Sequence, residues 1–321
     1  MNKSVQFYGF FVGSILLSSV LWCILAYAQL GAPTESSRWI HESIIQKTTN
    51  ASKITEPKIL IVAGSSALFG VNAKTIENEL QIPTINMAVS AGLQLNYILE
   101  QTKSVAHPRD IIILPLEYSL YDDQGTPDNV LIDYVFSRDL AYLQKRPALE
   151  ITQFVFGTDI IRLAKGIKSK FIVPDAYSTD GYQSWTLNEN GDESNNKHEN
   201  APTREAILRF IPLKHLTHGI SKESKSWNLL DSFVVWCSHR NITILVTYPP
   251  ILYNKAYFSS TTSKTIAQID RFWQTRGIKV LGKFDEVAYG PEYIYDTAYH
   301  LNDLGAKRRT RLLIDYLKDT L

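Results

Sequence analysis

Short apolar segments alternate with helical segments in two parts of this chain of 321 residues. Five runs are rich in β-branched side chains, as buried parallel strands are: KILIVAG (58–64), TINMAV (84–89), DIIILPL (110–116), NITILVTY (241–248) and IKVLG (278–282). Five segments with helical patterning accompany them, at 72–80, 95–106, 226–240, 265–277 and 303–319. Strands that alternate with helices of this length predict a parallel, doubly wound α/β sheet.

Residues 117–225 interrupt this alternation. They contain many aromatic side chains and a run of Asn, Asp, Glu and Gly that is typical of turns and loops. We interpret them as a large insertion of short helices with a hairpin around WTLNENGD (185–192), lying over the active edge of the sheet as a lid or substrate platform. The alternative is a disordered surface excursion, chiefly at 180–202.

The N-terminal segment has the length and composition of a membrane span. No charged residue occurs from Ser4 to Thr34, and residues 7–28 as a helix would cover about 33 Å, enough for a hydrocarbon core of about 30 Å. A cleaved signal is the alternative, since AYA at 26–28 resembles a cleavage site, but the apolar region of a signal has only about 7–15 residues. We therefore predict a transmembrane anchor at 1–30, a linker at 31–56 and an α/β domain at 57–321.

The charged residues and cysteines bear on location and partners. Lys3 and the terminal amine are the only positive charges before the span, which favours a cytoplasmic N-terminus and an extracytoplasmic main domain. With a formal net charge of +1, the chain has no basic field that would attract nucleic acid. Cys23 and Cys237 indicate neither a disulfide framework nor a thiolate metal site, and no residue pattern calls for a metal or another cofactor. The predicted location is the outer face of the cytoplasmic membrane, with residues 7–28 in the lipid bilayer.

A serine follows the first predicted strand, in VAGSSALFG (62–70). At a strand-to-helix turn its hydroxyl would lie at the carboxyl end of the sheet, where backbone N–H groups can stabilise an oxyanion. A serine nucleophile needs a base that a third group orients. Asp296 and His300 follow the last sheet strand and would reach the same edge, which predicts a catalytic triad. The alternatives are a plain turn serine, and a polar loop that enters a helix capped by Asn302.

The two motifs together, GSS (64–66) and DxxxHLNxxG (296–305), resemble those of the SGNH/GDSL hydrolase superfamily. Within it, the chain is most similar to a membrane-anchored group that includes alginate O-acetylation proteins and the teichoic acid D-alanylation protein. The resemblance covers about 58–116 and 241–320, and it implies a flavodoxin-like, three-layer α/β fold. It assigns Ser66 as the nucleophile, His300 as the base and Asp296 as the acid.

The same resemblance implies an oxyanion hole and shows where this chain departs from the superfamily. The Ser66 N–H and a backbone N–H from Ala91 or Gly92 would be the donors, but an asparagine usual after the third strand is replaced by Glu117 and Tyr118. A carboxylate there would repel an oxyanion, so Glu117 is either a satisfied buried carboxylate or a substrate contact. Polysaccharide-acylating members also tend to lack this asparagine. The acid, Asp296, lies four residues before His300 rather than the usual three.

The resemblance implies a serine acyltransferase or esterase that acts on acyl esters, chiefly acetyl esters, of a cell-surface or secreted polysaccharide. It also implies a membrane-bound, acyl-exporting partner. The alternative is a catalytically degenerate member that binds polysaccharide or assists such an export complex. In either case Tyr177, Tyr182 and Trp185 could stack on sugar rings.

Overall fold

The computed structural model describes residues 3–172 and 182–321. Its central sheet has five parallel strands in the order β2–β1–β3–β4–β6, with Ile59 opposite both Thr84 and Ile111, and Ile111 opposite Thr243. These strands are β1 (Ile59–Ile61), β2 (Thr84–Asn86), β3 (Ile111–Leu114), β4 (Thr243–Thr247) and β6 (Lys279–Leu281); β5 (Ile251–Leu252) and β7 (Ala288–Tyr289) form a separate parallel pair. All five predicted strands are confirmed, and their order is that of a flavodoxin-like doubly wound sheet.

The described residues contain fourteen α-helices. They are α1 (Lys3–Ala28), α2 (Ser36–Lys53), α3 (Ser65–Gly70), α4 (Ala73–Leu80), α5 (Gln94–Val105), α6 (Asn129–Arg138), α7 (Leu140–Gln144), α8 (Ala148–Gly157), α9 (Ile160–Phe171), α10 (Arg204–Ile207), α11 (Lys214–Thr217), α12 (Lys225–Ser238), α13 (Ser260–Gln274) and α14 (Asp303–Lys318). The predicted Asn302 cap is confirmed, since its side chain accepts a hydrogen bond from the Gly305 N–H at 3.0 Å.

Two groups of helices pack around the central sheet. In the first group α14 packs against α3 and α4, and in the second group α12 packs against α5. The strand β1 between them is fully buried, as a parallel strand covered on both faces must be. The predicted three-layer α/β architecture is therefore confirmed.

The chain divides into two compact units. The first comprises Met1–His41 and Thr126–Tyr182, and the second comprises Glu42–Gly125 and Gln183–Leu321. The whole central sheet lies in the second unit. The insertion predicted at 117–225 is thus shared between the units, and α2 occupies most of the predicted linker. The predicted domain limits, and the placing of the insertion over the site, stay predictions.

A hairpin covers the β2 edge of the sheet, within the second unit. Leu187 bridges Glu193 in the antiparallel sense, and Gly191 at the turn has a φ of +81°, a left-handed value that favours glycine. Asn190 lies beside β2: its carbonyl accepts from the Asn86 N–H and its side chain donates to the Thr84 carbonyl, both at 2.8 Å. The predicted hairpin is confirmed, and it satisfies backbone groups that an open sheet edge would expose.

The first unit contains α1, which is long and apolar enough to cross a membrane. Among the described residues, no other helix meets that description. A signal sequence near an N-terminus can also form a helix that is long and apolar enough to meet this description, so the helix alone does not distinguish an anchor from a cleaved signal.

Candidate active site

Ser66 lies where the sequence predicts it, in the first turn of the helix that follows β1. The helix α3 begins at Ser65, directly after its N-cap Gly64. Ser66 is fully buried, and its Oγ makes no hydrogen bond of ordinary geometry with the described residues. The Ser66 hydroxyl nevertheless lies close enough to the Glu117 carboxylate to lower the pKa of that group.

Asp296 and His300 contact each other directly. Asp296 Oδ1 lies 2.6 Å from His300 Nδ1, and the His300 side chain is almost completely buried. The segment between them closes on itself, since the Tyr295 N–H donates to the His300 carbonyl at 2.8 Å. This tight loop accommodates the four-residue spacing. A proton on Nδ1 that faces the carboxylate leaves Nε2 as the basic nitrogen of the ring.

Two residues that the sequence analysis missed join this loop to α3. The Phe69 ring lies one turn after Ser66 and stacks on His300, with the ring centroids 4.3 Å apart. The Asn196 side chain donates to the Leu301 carbonyl at 2.9 Å and to the Phe69 carbonyl at 3.3 Å. The structure thus packs the helix that carries Ser66 against the loop that carries the histidine. Ser66 Oγ makes no hydrogen bond to His300, so the triad itself stays a prediction.

Glu117 occupies the N-terminus of α3. Its carboxylate accepts hydrogen bonds from the Ser66 N–H at 2.7 Å and from the Gly64 N–H at 2.9 Å, and its side chain is buried. Burial raises the pKa of Glu117, while the hydrogen bonds from the Ser66 and Gly64 N–H groups and the nearby Ser66 hydroxyl oppose the rise. Glu117 is thus a satisfied buried carboxylate in this structure, and a substrate contact of Glu117 stays a prediction.

The Ser66 N–H is occupied in this structure, so its role as an oxyanion donor stays a prediction. That donor already pairs with the Glu117 carboxylate, because β1 and β3 are neighbours whose carboxyl ends meet. Gly92 is engaged as well, since its N–H donates to Ser90 Oγ at 3.2 Å. Ala91 lies against Gly64, where an added Cβ would approach the Ala91 nitrogen to 2.5 Å. Ala91 is therefore the better placed of the two predicted donors.

Tyr118 is fully buried and packs against Tyr299. The Tyr118 N–H donates to the Tyr299 hydroxyl at 3.3 Å, and their rings lie 6.5 Å apart. Burial raises the pKa of both phenols, and the Glu117 charge raises that of Tyr299 further, so both stay neutral. A substrate contact of Tyr118 stays a prediction, and it would require this packing to open.

The aromatic residues that were predicted to stack on sugar rings differ in their exposure and contacts. Trp185 is 58% exposed, and Tyr182 packs edge-to-face on Trp39 with ring centroids 5.2 Å apart. Tyr177 lies outside the described residues. Within residues 3–172 and 182–321, no cluster of three or more His, Cys, Asp or Glu side chains could hold a metal ion.

Comparisons with known proteins give distant structural likenesses. No protein-family model and no curated protein matches the chain. A Streptococcus pneumoniae structure provisionally described as a platelet activating factor matches at a TM-score of 0.42 and 10% identity, covering 87% of this chain and 92% of that one. A structure from Bacteroides fragilis provisionally described as an acylhydrolase matches at a TM-score of 0.35 and 10% identity, covering 85% and 94%. Likenesses this distant assign no role to any residue.

Proposed function

We propose that the chain is a serine acyltransferase or esterase that acts on acyl esters, chiefly acetyl esters, of a cell-surface or secreted polysaccharide. The observation that carries the proposal is the 2.6 Å contact between Asp296 and His300, in a loop packed on the helix of Ser66. Nucleophilic acyl transfer needs a serine and an oriented histidine within hydrogen-bond reach, and the packing of the His300 loop on the helix of the buried Ser66 supports that arrangement.

In the proposed reaction, Ser66 Oγ attacks the acyl carbonyl and His300 Nε2 takes the hydroxyl proton. Asp296 holds the ring so that Nε2 faces the serine. His300 then returns the proton to the departing alcohol, and a sugar hydroxyl or water resolves the acyl-enzyme by the reverse sequence. Glu117 must release the Ser66 N–H, or be protonated, before that N–H and the Ala91 N–H can stabilise the oxyanion.

We also propose that α1 anchors the protein in the cytoplasmic membrane with the second unit outside. The length and composition of α1 support a span, and Lys3 supports a cytoplasmic N-terminus. The membrane-anchored group that the chain resembles works beside membrane-bound partners that export acyl groups, and this resemblance supports transfer over hydrolysis.

The second candidate function is a non-catalytic protein that binds polysaccharide or assists an acyl-export complex. The hydrogen bonds from the Ser66 and Gly64 N–H groups to Glu117 favour this non-catalytic function, because an anion already occupies the position that an oxyanion needs. The exposed Trp185 ring would suit stacking on a sugar.

A fluorophosphonate probe distinguishes the two candidates. The full chain in detergent micelles is treated with the probe, alongside Ser66→Ala and His300→Ala. Labelling that both substitutions abolish supports the acyl-transfer function. A folded wild type that stays unlabelled, or labelling that persists without Ser66, contradicts the triad, and binding to sugar polymers becomes the function to test.

A further inference from the structure

The first unit exposes large apolar side chains on two helices beside α1. On α8 these are Leu149 and Phe156, which are 73% and 56% exposed. On α9 they are Ile160, Ile161 and Phe171, at 71%, 64% and 85%. We call these five residues the apolar surface. Single exposed apolar side chains are ordinary, but five large ones on two consecutive helices are uncommon on a surface that faces water, which indicates an occupant.

Both helices are joined to the C-terminal end of α1. The Trp22 indole donates to the Val155 carbonyl of α8 at 2.8 Å. On α9, the buried Arg162 donates to Gln29 Oε1 at 2.6 Å and pairs with Asp133 at 2.6 Å. A guanidinium that is buried among several partners is costly to displace, so α9 holds a defined position beside the end of α1.

These contacts fix the depth of α8 relative to the membrane span. Trp22 lies six residues before Ala28, the last residue of α1, which corresponds to about 9 Å along a helix. If residues 7–28 span the bilayer, Val155 lies about 9 Å below the outer end of the span. Helices that rest in the interfacial region bury their apolar faces about 5–10 Å deep, and tryptophan is enriched at that level.

The charges on α9 also fit a lipid surface. Lys165 and Lys168 lie on the exposed side of the helix among its apolar residues. Lysine can bury its methylene chain beside apolar groups while its ammonium reaches upward to lipid phosphates. Anionic lipids attract such groups within about a Debye length. A protein partner would need carboxylates interspersed in an apolar face, whereas a phospholipid layer provides acyl chains and phosphates together.

We propose that α8 and α9 lie in the outer leaflet of the membrane beside α1, with the apolar surface among the acyl chains and Lys165 and Lys168 at the phosphates. The chain then has two membrane contacts, one spanning and one interfacial. This inference rests on the anchoring proposed above and does not depend on the chemistry of Ser66.

Nitroxide labels on the full chain test the proposal. The protein carries Cys23→Ala and Cys237→Ala, and is reconstituted in vesicles of phosphatidylcholine and phosphatidylglycerol. Single labels are placed through Phe156→Cys and Ile160→Cys. Leu17→Cys, in the exposed apolar part of α1, is the lipid reference, and Ser238→Cys, at the exposed end of α12, is the aqueous reference. Electron paramagnetic resonance then measures collisions with oxygen and with a water-soluble nickel chelate.

Labels at Phe156 and Ile160 are expected to collide several-fold less often with the nickel chelate than the label at Ser238. Their collisions with oxygen should be as frequent as those of the label at Leu17. Nickel collisions equal to those at Ser238 would place the apolar surface in water and overturn the proposal. Labels that collide rarely with both reagents would mean that protein covers the apolar surface, and this result would also overturn the proposal. Frequent collisions of the Leu17 label with the nickel chelate would contradict both the membrane anchor and this proposal. They would not bear on the fluorophosphonate labelling of Ser66.

Discussion

Glu117 Oε1 accepts a 2.7 Å hydrogen bond from the backbone N–H of Ser66, the residue proposed as the nucleophile. The other carboxylate oxygen accepts from the Gly64 N–H at 2.9 Å. The N-terminus of α3 therefore already binds an anion, and one that belongs to the protein. Any oxyanion that forms on Ser66 must replace this side chain, lie beside its negative charge, or form while Glu117 is protonated.

We predict that Glu117→Gln increases fluorophosphonate labelling of Ser66 by at least about tenfold, because a neutral amide no longer repels the developing oxyanion. Two unit charges about 4 Å apart repel by roughly 4 kcal/mol at an effective dielectric constant of about 20, and tenfold requires only about 1.4 kcal/mol. The rate of labelling is measured by in-gel fluorescence on folded protein.

The matched control is Glu199→Gln, at an exposed position, which should label at the wild-type rate. Adding Ser66→Ala to Glu117→Gln should remove the signal entirely. If Glu117→Gln folds and labels no faster than the wild type, the carboxylate does not oppose the oxyanion, and its role is to hold the turn between β1 and α3.

The contact between Asp296 and His300 gives a second prediction. Asp296→Asn should lower labelling by roughly 10³-fold or more, because an amide no longer holds the ring in the tautomer that leaves Nε2 basic. Labelling is followed over time, and the retained fold is checked by circular dichroism. Asp303→Asn, which removes the negative charge beside His198 but keeps an Oδ1 acceptor for the His198 N–H, is the control and should label within about twofold of the wild type, as surface changes usually have small effects. Equal labelling of both variants would rule out Asp296 as the orienting acid.

The sheet and the Asp296–His300 pair could be predicted because their signals are local. Each central strand is a short apolar run, and the pair lies within one five-residue segment. The strands β5 and β7 could not be predicted, because strands of two residues are too short to show a periodic pattern of apolar residues in the sequence. The helix α2 was not predicted, because its sequence, SSRWIHESIIQKTTNASK, is largely polar and its apolar residues are few.

The contacts that define the site depend on tertiary structure, and no local pattern marks them. Glu117 reaches the Ser66 N–H because β3 lies beside β1 in the sheet, while 51 residues separate them in sequence. Asn196 reaches the Phe69 carbonyl from a segment whose composition indicates only turn and loop. Side chains that bond to backbone groups across such distances become visible only once the strand order and the hairpin are known.

The buried side chain of Lys47 should make the free energy of unfolding depend on pH. Its ammonium is buried and donates to the Ala88 and Gly191 carbonyls, and burial lowers its pKa to about 7, against opposing effects of Asp192 and Glu193. In the unfolded chain the lysine has its ordinary pKa of 10.5, so between about pH 7 and 10.5 that state binds more protons than the folded state. The free energy of unfolding should therefore rise with pH in this window, by up to about 1.4 kcal/mol per pH unit.

Urea denaturation of the full chain in detergent, at about pH 7.5 and about pH 9, measures this effect. Lys47→Met should reduce the rise between the two pH values by about 2 kcal/mol, because the titrating group is gone. The exposed Lys53 on the same helix gives the matched control, Lys53→Met, which should keep the wild-type rise. An unchanged rise in Lys47→Met would mean that the amine is hydrated and keeps its ordinary pKa.

Gly64 lies so close to Ala91 that a single methyl group should disturb the site. A Cβ at Gly64 would lie 2.5 Å from both the nitrogen and the Cβ of Ala91, a distance that requires the backbone to move. We predict that Gly64→Ala lowers the free energy of unfolding by about 1–3 kcal/mol, as overpacking of a close contact does. It should also lower probe labelling by about 10²-fold, because a shift of about 1 Å in a positioned group has that effect.

The double variant Gly64→Ala, Ala91→Gly separates steric crowding from other causes. It removes one of the three clashing atoms, the Ala91 Cβ, but leaves the Ala91 nitrogen at 2.5 Å and the Ala91 Cα at 2.6 Å, so stability should recover only in part. Labelling should stay low, since the Ala91 N–H, the donor proposed for the oxyanion, is the group still displaced. Full recovery of labelling together with partial recovery of stability would show that the backbone of residue 91 takes no part in the reaction, and the oxyanion would then depend on the Ser66 N–H alone.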